Sequence, residues 1–391
     1  MTSLRPQDRQ VKMEVVMGEW KEFRLNEIAQ LEKNSWKVGD EELPYIALEH
    51  IVEGGLRLQG IGDSNTIASN KFRFNSDCFL FGKLRPYFRK LFRPNFEGIC
   101  STDIWVVKPK GENDKDFLFY FFANQEFVDF TYSGSSGTRM PRADWKFVGE
   151  SKWNFPEPTE QKAIAEVLSS LDDKIDLLHR QNKTLEQMAE TLFRQWFVEE
   201  AKVDWEDSVL PDEFDFIMGQ SPKGSSFNKD GIGTPMYQGN ADFDFRFPNR
   251  RVYTTEAKRL AQKFDTLISV RAPVGEQNMA VEECCIGRGV AAFKYKANSE
   301  YYTYTYFKMW SLMDEIKQFN NEGTVFGSIS KTDFQSLSIT IPPQNLVDKF
   351  QNEAKPIDDK VIENTIQIRT LEKMRDTLLP KLMSGEITIK K

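Results

Sequence analysis

Cysteine and histidine are scarce in this 391-residue chain, at four and two residues. The cysteines, Cys78, Cys100, Cys284 and Cys285, form no C-x-x-C pair. That excludes the usual zinc-finger and dithiol patterns and gives no disulfide framework, so a reduced, cytoplasmic setting is expected. The adjacent pair Cys284–Cys285 reads as small buried side chains. No H-E-x-x-H, P-loop or G-x-S-x-G motif occurs, nor an Asn/Asp-Pro-Pro-aromatic tetrapeptide. Asp212 after Pro211, with Glu256 and Lys258, fits an acid–acid–lysine nuclease pattern only at a spacing too long to carry weight. No catalytic residue and no metal ligand is therefore assigned. No run of about 18 apolar residues appears, so no membrane span is expected. The first twenty residues lack the apolar stretch of a signal peptide.

Positive charge is also in deficit overall, with a formal net charge of -7. Its distribution says more than its sum. Arg57 to Gly98 holds eight Lys/Arg against three Asp/Glu, and Arg246 to Gly275 holds seven against two. Between them, Glu160 to Glu200 holds five against nine. Two basic blocks on an acidic chain are the footprint of a nucleic-acid-binding protein with localised contact faces. The bland alternative is solvated surface charge.

What the chain has in quantity is repetition. LDDKIDLLHRQNKTLEQMAETL at Leu171–Leu192 returns as IDDKVIENTIQIRTLEKMRDTL at Ile357–Leu378. Asp172-Asp173-Lys174 matches Asp358-Asp359-Lys360, Thr184-Leu185-Glu186 matches Thr370-Leu371-Glu372, and both pairs are 186 residues apart. The same offset joins Gly137-Thr138 to Gly323-Thr324 and Pro156 to Pro342. Upstream the match decays, with Pro86 and Pro273 in register at 187. So long a period means a duplicated domain pair, not a solenoid.

Each repeated phrase is a heptad seam. Ile164, Leu168, Leu171, Ile175, Leu178, Asn182, Leu185, Ala189, Leu192 and Trp196 alternate at spacings of four and three. The second seam is Phe350, Ala354, Ile357, Val361, Asn364, Ile368, Leu371, Arg375, Leu378 and Leu382. Thr159 is the expected N-cap of the first helix, and Pro356 either kinks the second or marks its start. In an antiparallel pair, setting Asn182 opposite Asn364 brings nearly every other layer apolar on apolar. One layer, Leu171 against Arg375, is poor, and Asp172 could rescue it by pairing. Register by Asn182 and Asn364 is expected, since a buried polar pair disfavours slipped alternatives. The alternative is that each helix packs only on its own body. Ile164 to Trp196 as helix would span about 50 Å.

The bodies read as mixed. Phe117–Phe130 and Tyr301–Gln318 read as buried helices, and Asp103–Pro109 and Gly289–Tyr295 as strands. Turn-rich stretches, Gly134–Trp145 and Gly323–Phe334, follow the helices. The candidate DNA contacts are chosen by charge and position. In the first body they are Lys83, Arg85, Tyr87, Arg89, Lys90, Arg139 and Arg142. In the second they are Gln238, Asn240, Arg250, Arg251, Arg271, Arg288, Ser328 and Lys331. Arg and Lys suit phosphates, while Arg, Asn and Gln can read base edges in pairs of hydrogen bonds.

From about Trp20 to Ile389 the order body–helix–body–helix resembles the specificity subunit of type I restriction–modification enzymes. The phrases carrying the resemblance are SGTRMPRADW, PEPTEQKAIAEVL, LDDKID, LFRQWF and TLEKMRDTLLPKLMSGEI. It implies an α+β chain with two mixed target-recognition domains in tandem, each followed by a long helix. The helices would form an antiparallel coiled coil with pseudo-twofold symmetry. Boundaries on that reading are a leader 1–18, domain 19–158, spacer 159–200, domain 201–344 and spacer 345–391. The implied partners are double-stranded DNA, two methylation subunits and the restriction (motor–nuclease) subunits, with no membrane. The implied cofactors, S-adenosylmethionine, ATP and Mg²⁺, belong to those partner subunits, and this chain would hold none. A spacer near 50 Å, about one and a half turns of B-DNA, suits a split target. The alternative function is a non-catalytic coiled-coil scaffold or a stand-alone DNA-binding regulator.

Overall fold

The computed structural model describes residues 12–14, 20–137, 139–202, 205–320 and 327–390. Most of the leader 1–18, Thr138, and Gly323-Thr324 of the repeat lie outside the described residues. The chain divides into two compact units, Met1–Leu177 with Arg369–Lys391, and Leu178–Ile368. The division cuts both long helices, α1 (Pro158–Arg194) and α2 (Gln344–Met383), so each unit holds one body and one end of each helix.

In the first unit a four-stranded antiparallel sheet runs Ala29–Glu32, Ile104–Pro109, Phe79–Gly82, Leu91–Phe92. Its two central strands are apolar and buried over Phe79–Phe81 and Ile104–Val107, where both faces are covered. The twofold alternation of a strand then sorts the side chains. Phe79, Phe81, Trp105 and Val107 join a core with helix Lys115–Ala123 and the helix-pair residues Leu168, Leu379 and Leu382. Leu80, Ile104 and Val106 join a second core with Ile46, Phe74 and Cys100. That second core belongs to a five-stranded sheet ordered Ser35–Trp36, Lys71–Phe74, Gly98–Cys100, Pro44–Ile46, Gly62–Asp63. Its one parallel pair is Gly98–Cys100 with Pro44–Ile46. The expected helix Phe117–Phe130 is two, Lys115–Ala123 and Gln125–Ser133. Asn124, with extended backbone between them, ends the first and is the N-cap position of the second.

The second unit repeats the plan. Its four-stranded sheet runs Phe214–Met218, Val290–Tyr295, Thr266–Ser269, Gln277–Met279, again antiparallel. Ile268, Ala291 and Phe293 face a core with Phe307 and Phe350, while Leu267, Val290 and Ala292 face one with Tyr237, Cys284 and Ile286. Cys284 and Cys285 are fully buried, as expected. The five-stranded sheet runs Phe227–Asn228, Val252–Thr254, Thr234–Tyr237, Cys284–Ile286, Leu260–Ala261, with Thr234–Tyr237 parallel to Cys284–Ile286. Four strands of it match the first unit's sheet around the parallel pair. The fifth does not. Ser35–Trp36 extends the first sheet beyond Lys71–Phe74, whereas Phe227–Asn228 extends the second at the opposite end, beyond Val252–Thr254.

α1 begins at Pro158, so Thr159 lies inside the first turn and is not the cap; proline at the first helical position costs no hydrogen bond. α2 runs unbroken through Pro356. Within each unit the two helices are antiparallel. In the first unit Asp172 of α1 meets Arg375 of α2 at 2.9 Å, the rescue expected for the poor layer. In the second unit Asn182 meets Thr365, and Trp196 meets Phe350, with ring centroids 6.3 Å apart. The asparagine layer differs from the expected one. Asn182 and Asn364 are both fully buried, but Asn182 donates its amide to the Thr365 hydroxyl at 3.2 Å. Asn364 finds no hydrogen-bond partner for either amide atom. Thr365 also donates to the Val361 carbonyl at 2.6 Å, so it is the hydroxyl that can both give and accept within the turn.

Arg375 and Asp172 are both largely buried. Removing the Asp172 carboxylate leaves the buried guanidinium with only the half-exposed Asp376, at 3.0 Å. Asp172→Ala is expected to destabilise the protein by about 3 kcal/mol. Asp172→Ala with Arg375→Met is expected to lose less than the single change, as read from urea unfolding midpoints.

Candidate nucleic-acid interface

In the first unit, strand Phe79–Gly82 leads into a surface built by backbone hydrogen bonds. Leu84 forms a bridge with Arg142. Ala143 donates to the Lys83 carbonyl at 2.9 Å, and Arg85 donates to that of Pro141 at 2.8 Å. The turn Pro86–Phe88 follows, flanked by Arg85 and Arg89 at φ 51° and 47°. Left-handed backbone at a residue with a Cβ costs about 1–2 kcal/mol, so this turn is held by its surroundings. Lys83, Arg85, Tyr87, Arg139 and Arg142 thus come together.

Several of the expected DNA contacts also have internal partners. Arg142 grips Asp103 with two hydrogen bonds, 2.9 and 3.2 Å. Lys90 donates to the Leu48 carbonyl at 2.7 Å. Arg89 turns inward to the Gly54 carbonyl at 3.0 Å and lies 3.7 Å from Asp376; burial pulls its pKa down and Asp376 opposes this. Arg139 and Tyr87 are exposed, and Arg139 has no side-chain partner among the described residues.

The second unit builds an equivalent bridge, Arg271 with Ser328, and continues it from the Ile329 amide to the Val270 carbonyl at 3.1 Å. Val270 donates to the Gly289 carbonyl at 2.9 Å, which sets Arg288 beside the same edge. The Gln238 carbonyl passes so close to Gly289 that an added Cβ would lie 2.1 Å from it, so glycine is required there. Gln238, Arg271, Arg288 and Ser328 are therefore neighbours, all exposed, and Lys331 opens the short helix Lys331–Ser336. Asn240 begins a turn and is half-buried. Arg250 is paired with Glu282 at 2.6 Å, and Arg251 with the Ala241 carbonyl and, at 3.6 Å, Asp242.

The arginine that matters most inside this unit is one that charge counting did not single out. Arg246 has a fully buried side chain and a left-handed backbone, φ 62°. Its guanidinium lies 3.8 Å from the Tyr306 ring centroid. It is 2.9 Å from Asp358 of α2 and 3.3 Å from Glu186 of α1. These are ion pairs by distance without aligned hydrogen bonds. Burial pushes the Asp358 carboxyl up, and Arg246 opposes it. The first unit has a counterpart in Arg93, which stacks on Tyr120 at 5.3 Å, bonds Ser169 at 2.7 Å and lies 3.5 Å from Asp116. Tyr120 donates to Asp172 at 2.7 Å. Tyr120 and Tyr306, like Asp172 and Asp358, stand 186 residues apart. That repeated pair was the available signal. Arg93 and Arg246 do not share the offset, so repetition could not find them.

These faces sit on a fold with known relatives. The profile of the type I restriction modification DNA specificity domain matches residues 17–187 and again 202–369. The chain belongs to that family. It is 34% identical over 252 residues to a provisionally named type I restriction enzyme MjaX specificity subunit of Methanocaldococcus jannaschii, a match covering 60% of this chain and 59% of that relative. It is 26% identical to the MjaIX specificity subunit of the same organism, over 72% of this chain and 71% of the relative. The S subunit from M. genitalium, a solved structure, has the same fold at TM-score 0.62 and 16% identity, over 97% of this chain and 98% of that one. Each half of this specificity chain thus carries one copy of the domain, with the long helices common to both. Among the described residues, no group of three or more His, Cys, Asp or Glu could hold a metal ion, and no helix is long and apolar enough to cross a membrane.

Within the second basic block, Asp265 has its pKa pushed up to about 6 by burial, against an ordinary 3.8. The folded state therefore holds this proton more tightly than the unfolded chain does. Stability is lost as pH rises from about 4 to about 6. Asp265→Asn keeps an acceptor for the Gln262 amide, bonded at 2.8 Å. It is expected to be more stable than the parent by up to about 3 kcal/mol above pH 6, with no gain below pH 4, in melts across that range.

Proposed function

We propose that this chain is the DNA sequence-specificity subunit of a type I restriction–modification complex, reading a split double-stranded target with its two specificity domains. The observation that carries the reading is one scaffold written twice with two different reading surfaces. The four-stranded sheets have the same strand order, and both units carry the same bridge, Leu84–Arg142 in one and Arg271–Ser328 in the other. The five-stranded sheets add their last strand at opposite ends, and the exposed polar residues differ. Equivalent frames with unlike surfaces suit two half-sites of unlike sequence. On this reading the chain performs no chemistry. The long helices dock two methylation subunits and, through them, the motor–nuclease subunits. S-adenosylmethionine, ATP and Mg²⁺ act on those partners, in the cytoplasm.

The test is to co-express the chain with the methylation subunit encoded beside it and map methylated adenines across the host genome. Two short specified blocks around a fixed unspecified gap are expected. Replacing one body with that of a relative should change one block and leave the other. A complex that assembles without methylating, or methylates at one continuous motif, would overturn the split-target reading.

Internal partners divide the arginines into two groups. Arg271→Ala and Arg288→Ala, on exposed side chains with no partner among the described residues, are each expected to lower the slope of log affinity against log salt by about 1. Their unfolding midpoints should stay within about 0.5 kcal/mol of the parent. Arg246→Ala, which strands buried Asp358, should cost about 3–5 kcal/mol of stability instead.

A further inference from the structure

The first unit exposes aromatic surface that its core does not use. Tyr87 is 42% exposed and Tyr132 is 48% exposed, and their rings meet edge-on at 5.3 Å between centroids. Tyr87 also meets Phe88 at 4.7 Å, and Arg85 lies 5.9 Å from the Phe88 ring. The two tyrosines come from different elements, the strained turn Pro86–Phe88 and the last turn of helix Gln125–Ser133. Beside them the loop closed by the Ser136–Arg142 bridge presents Arg139 and Met140, both exposed. No acidic residue occurs from Cys78 to Phe96 or from Phe130 to Ala143, stretches that carry seven Lys/Arg between them. The nearby carboxylates are taken up, Asp103 by Arg142 and Asp129 by Gln125. A pair of exposed rings beside the exposed cation Arg139 fits a flat apolar ligand embedded in negative charge. A base step of DNA has that chemistry, and a basic or acidic peptide does not.

Among the described residues, the second unit lacks the feature. In register with the two proline turns, Val274 stands where Tyr87 does, and it is 1% exposed. Gln318 stands at the repeat position of Tyr132. We infer that Tyr87 and Tyr132 form a stacking wedge against a base step of the half-site read by the first body. Arg139 holds the adjoining phosphate, and the second body reads its half-site without such a wedge. The inference rests on the proposed recognition function and specifies how one half of it works.

Aromatic contact and phosphate contact respond differently to salt. Stacking releases no counterions, so its loss lowers affinity without changing the salt slope, while loss of a phosphate contact lowers the slope. The experiment uses the assembled complex of this chain with its methylation subunits and a duplex bearing the mapped target. 2-Aminopurine is placed in turn at each position of both blocks. With the parent chain, one position in the first body's block should brighten on binding as its neighbour is unstacked. With Tyr87→Ala/Tyr132→Ala that signal should vanish and affinity should fall about 5- to 150-fold at an unchanged salt slope. Tyr87→Phe/Tyr132→Phe should keep both, which separates stacking from hydroxyl contacts and from misfolding. Arg139→Ala should lower the slope by about 1 and keep the signal. Unchanged affinity and fluorescence in the Ala variant would overturn the wedge while leaving the recognition reading intact. So would a signal confined to the other block, or failure of the Phe variant in a normally folded complex. A parent complex that binds no split target would overturn the recognition reading and the wedge with it.

Discussion

A buried carboxylate on each long helix is the constraint that the scaffold is arranged around. Asp172 and Asp358 occupy the same place in the repeat and lie at 8% and 1% exposure. An ionised carboxylate out of water is costly by several kcal/mol unless cations and hydrogen bonds surround it. Asp172 is met by the Tyr120 hydroxyl and by Arg375 from the facing helix. Asp358 is met by the Thr303 hydroxyl and by Arg246 from the body. In both units a body helix and an arginine converge on one helix-pair residue. That convergence fixes body to helix pair more specifically than the surrounding leucines could, since apolar contacts tolerate sliding and a buried charge does not.

The two halves diverge unevenly around that centre. Elements of the central sheet and of the helix pair keep their spacing. Ile104–Pro109 and Val290–Tyr295 begin and end 186 residues apart, as do the starts of α1 and α2 and the strands Lys152–Phe155 and Ser338–Ile341. The five-stranded sheet touches only the far face of the central strands. There the spacing drifts, with Ile46 and Tyr237 at equivalent ladder positions 191 apart, and the fifth strand changes edge. Insertions that would shift a core strand by one residue reverse every side chain, whereas the outer sheet absorbs them at its edges.

What was legible in the sequence follows that division. The heptad seams, the 186-residue offset and the rescue of Arg375 by Asp172 could be read because periodicity and repetition are properties of the string. The break at Asn124 could not, since FLFYFFANQEF has no Gly or Pro and its aromatic run reads as one helix. The asparagine contact lies one residue from the one the heptads predict because Thr365, a residue that can both donate and accept, takes the Asn182 amide. Charge counting found both basic blocks but not how their arginines are used. Arg89, Lys90 and Arg142 are held by Gly54, Leu48 and Asp103, partners distant in sequence that only the fold brings near. Arg246 lay inside a counted block and serves the interior.

The two reading surfaces therefore inherit one frame and differ in the physics left available to each. In the first body the left-handed turn at Arg85–Arg89 lifts Tyr87 out of the core, and helix Gln125–Ser133 ends beside it with Tyr132. In the second, Val274 closes the matching turn into the core and leaves Arg271, Arg288, Gln238 and Ser328 as the exposed groups. Under the proposed wedge, the surface of rings draws on the deformability of base steps, which depends on sequence even where no edge is read. A surface of guanidinium, amide and hydroxyl groups draws on edge patterns and phosphates. Because the buried carboxylates hold both bodies on the same frame, a change from one mode to the other needs only the turn after a central strand and the end of one helix. That is a small region of chain, tied to the helix pair by Arg89, which lies 3.7 Å from Asp376.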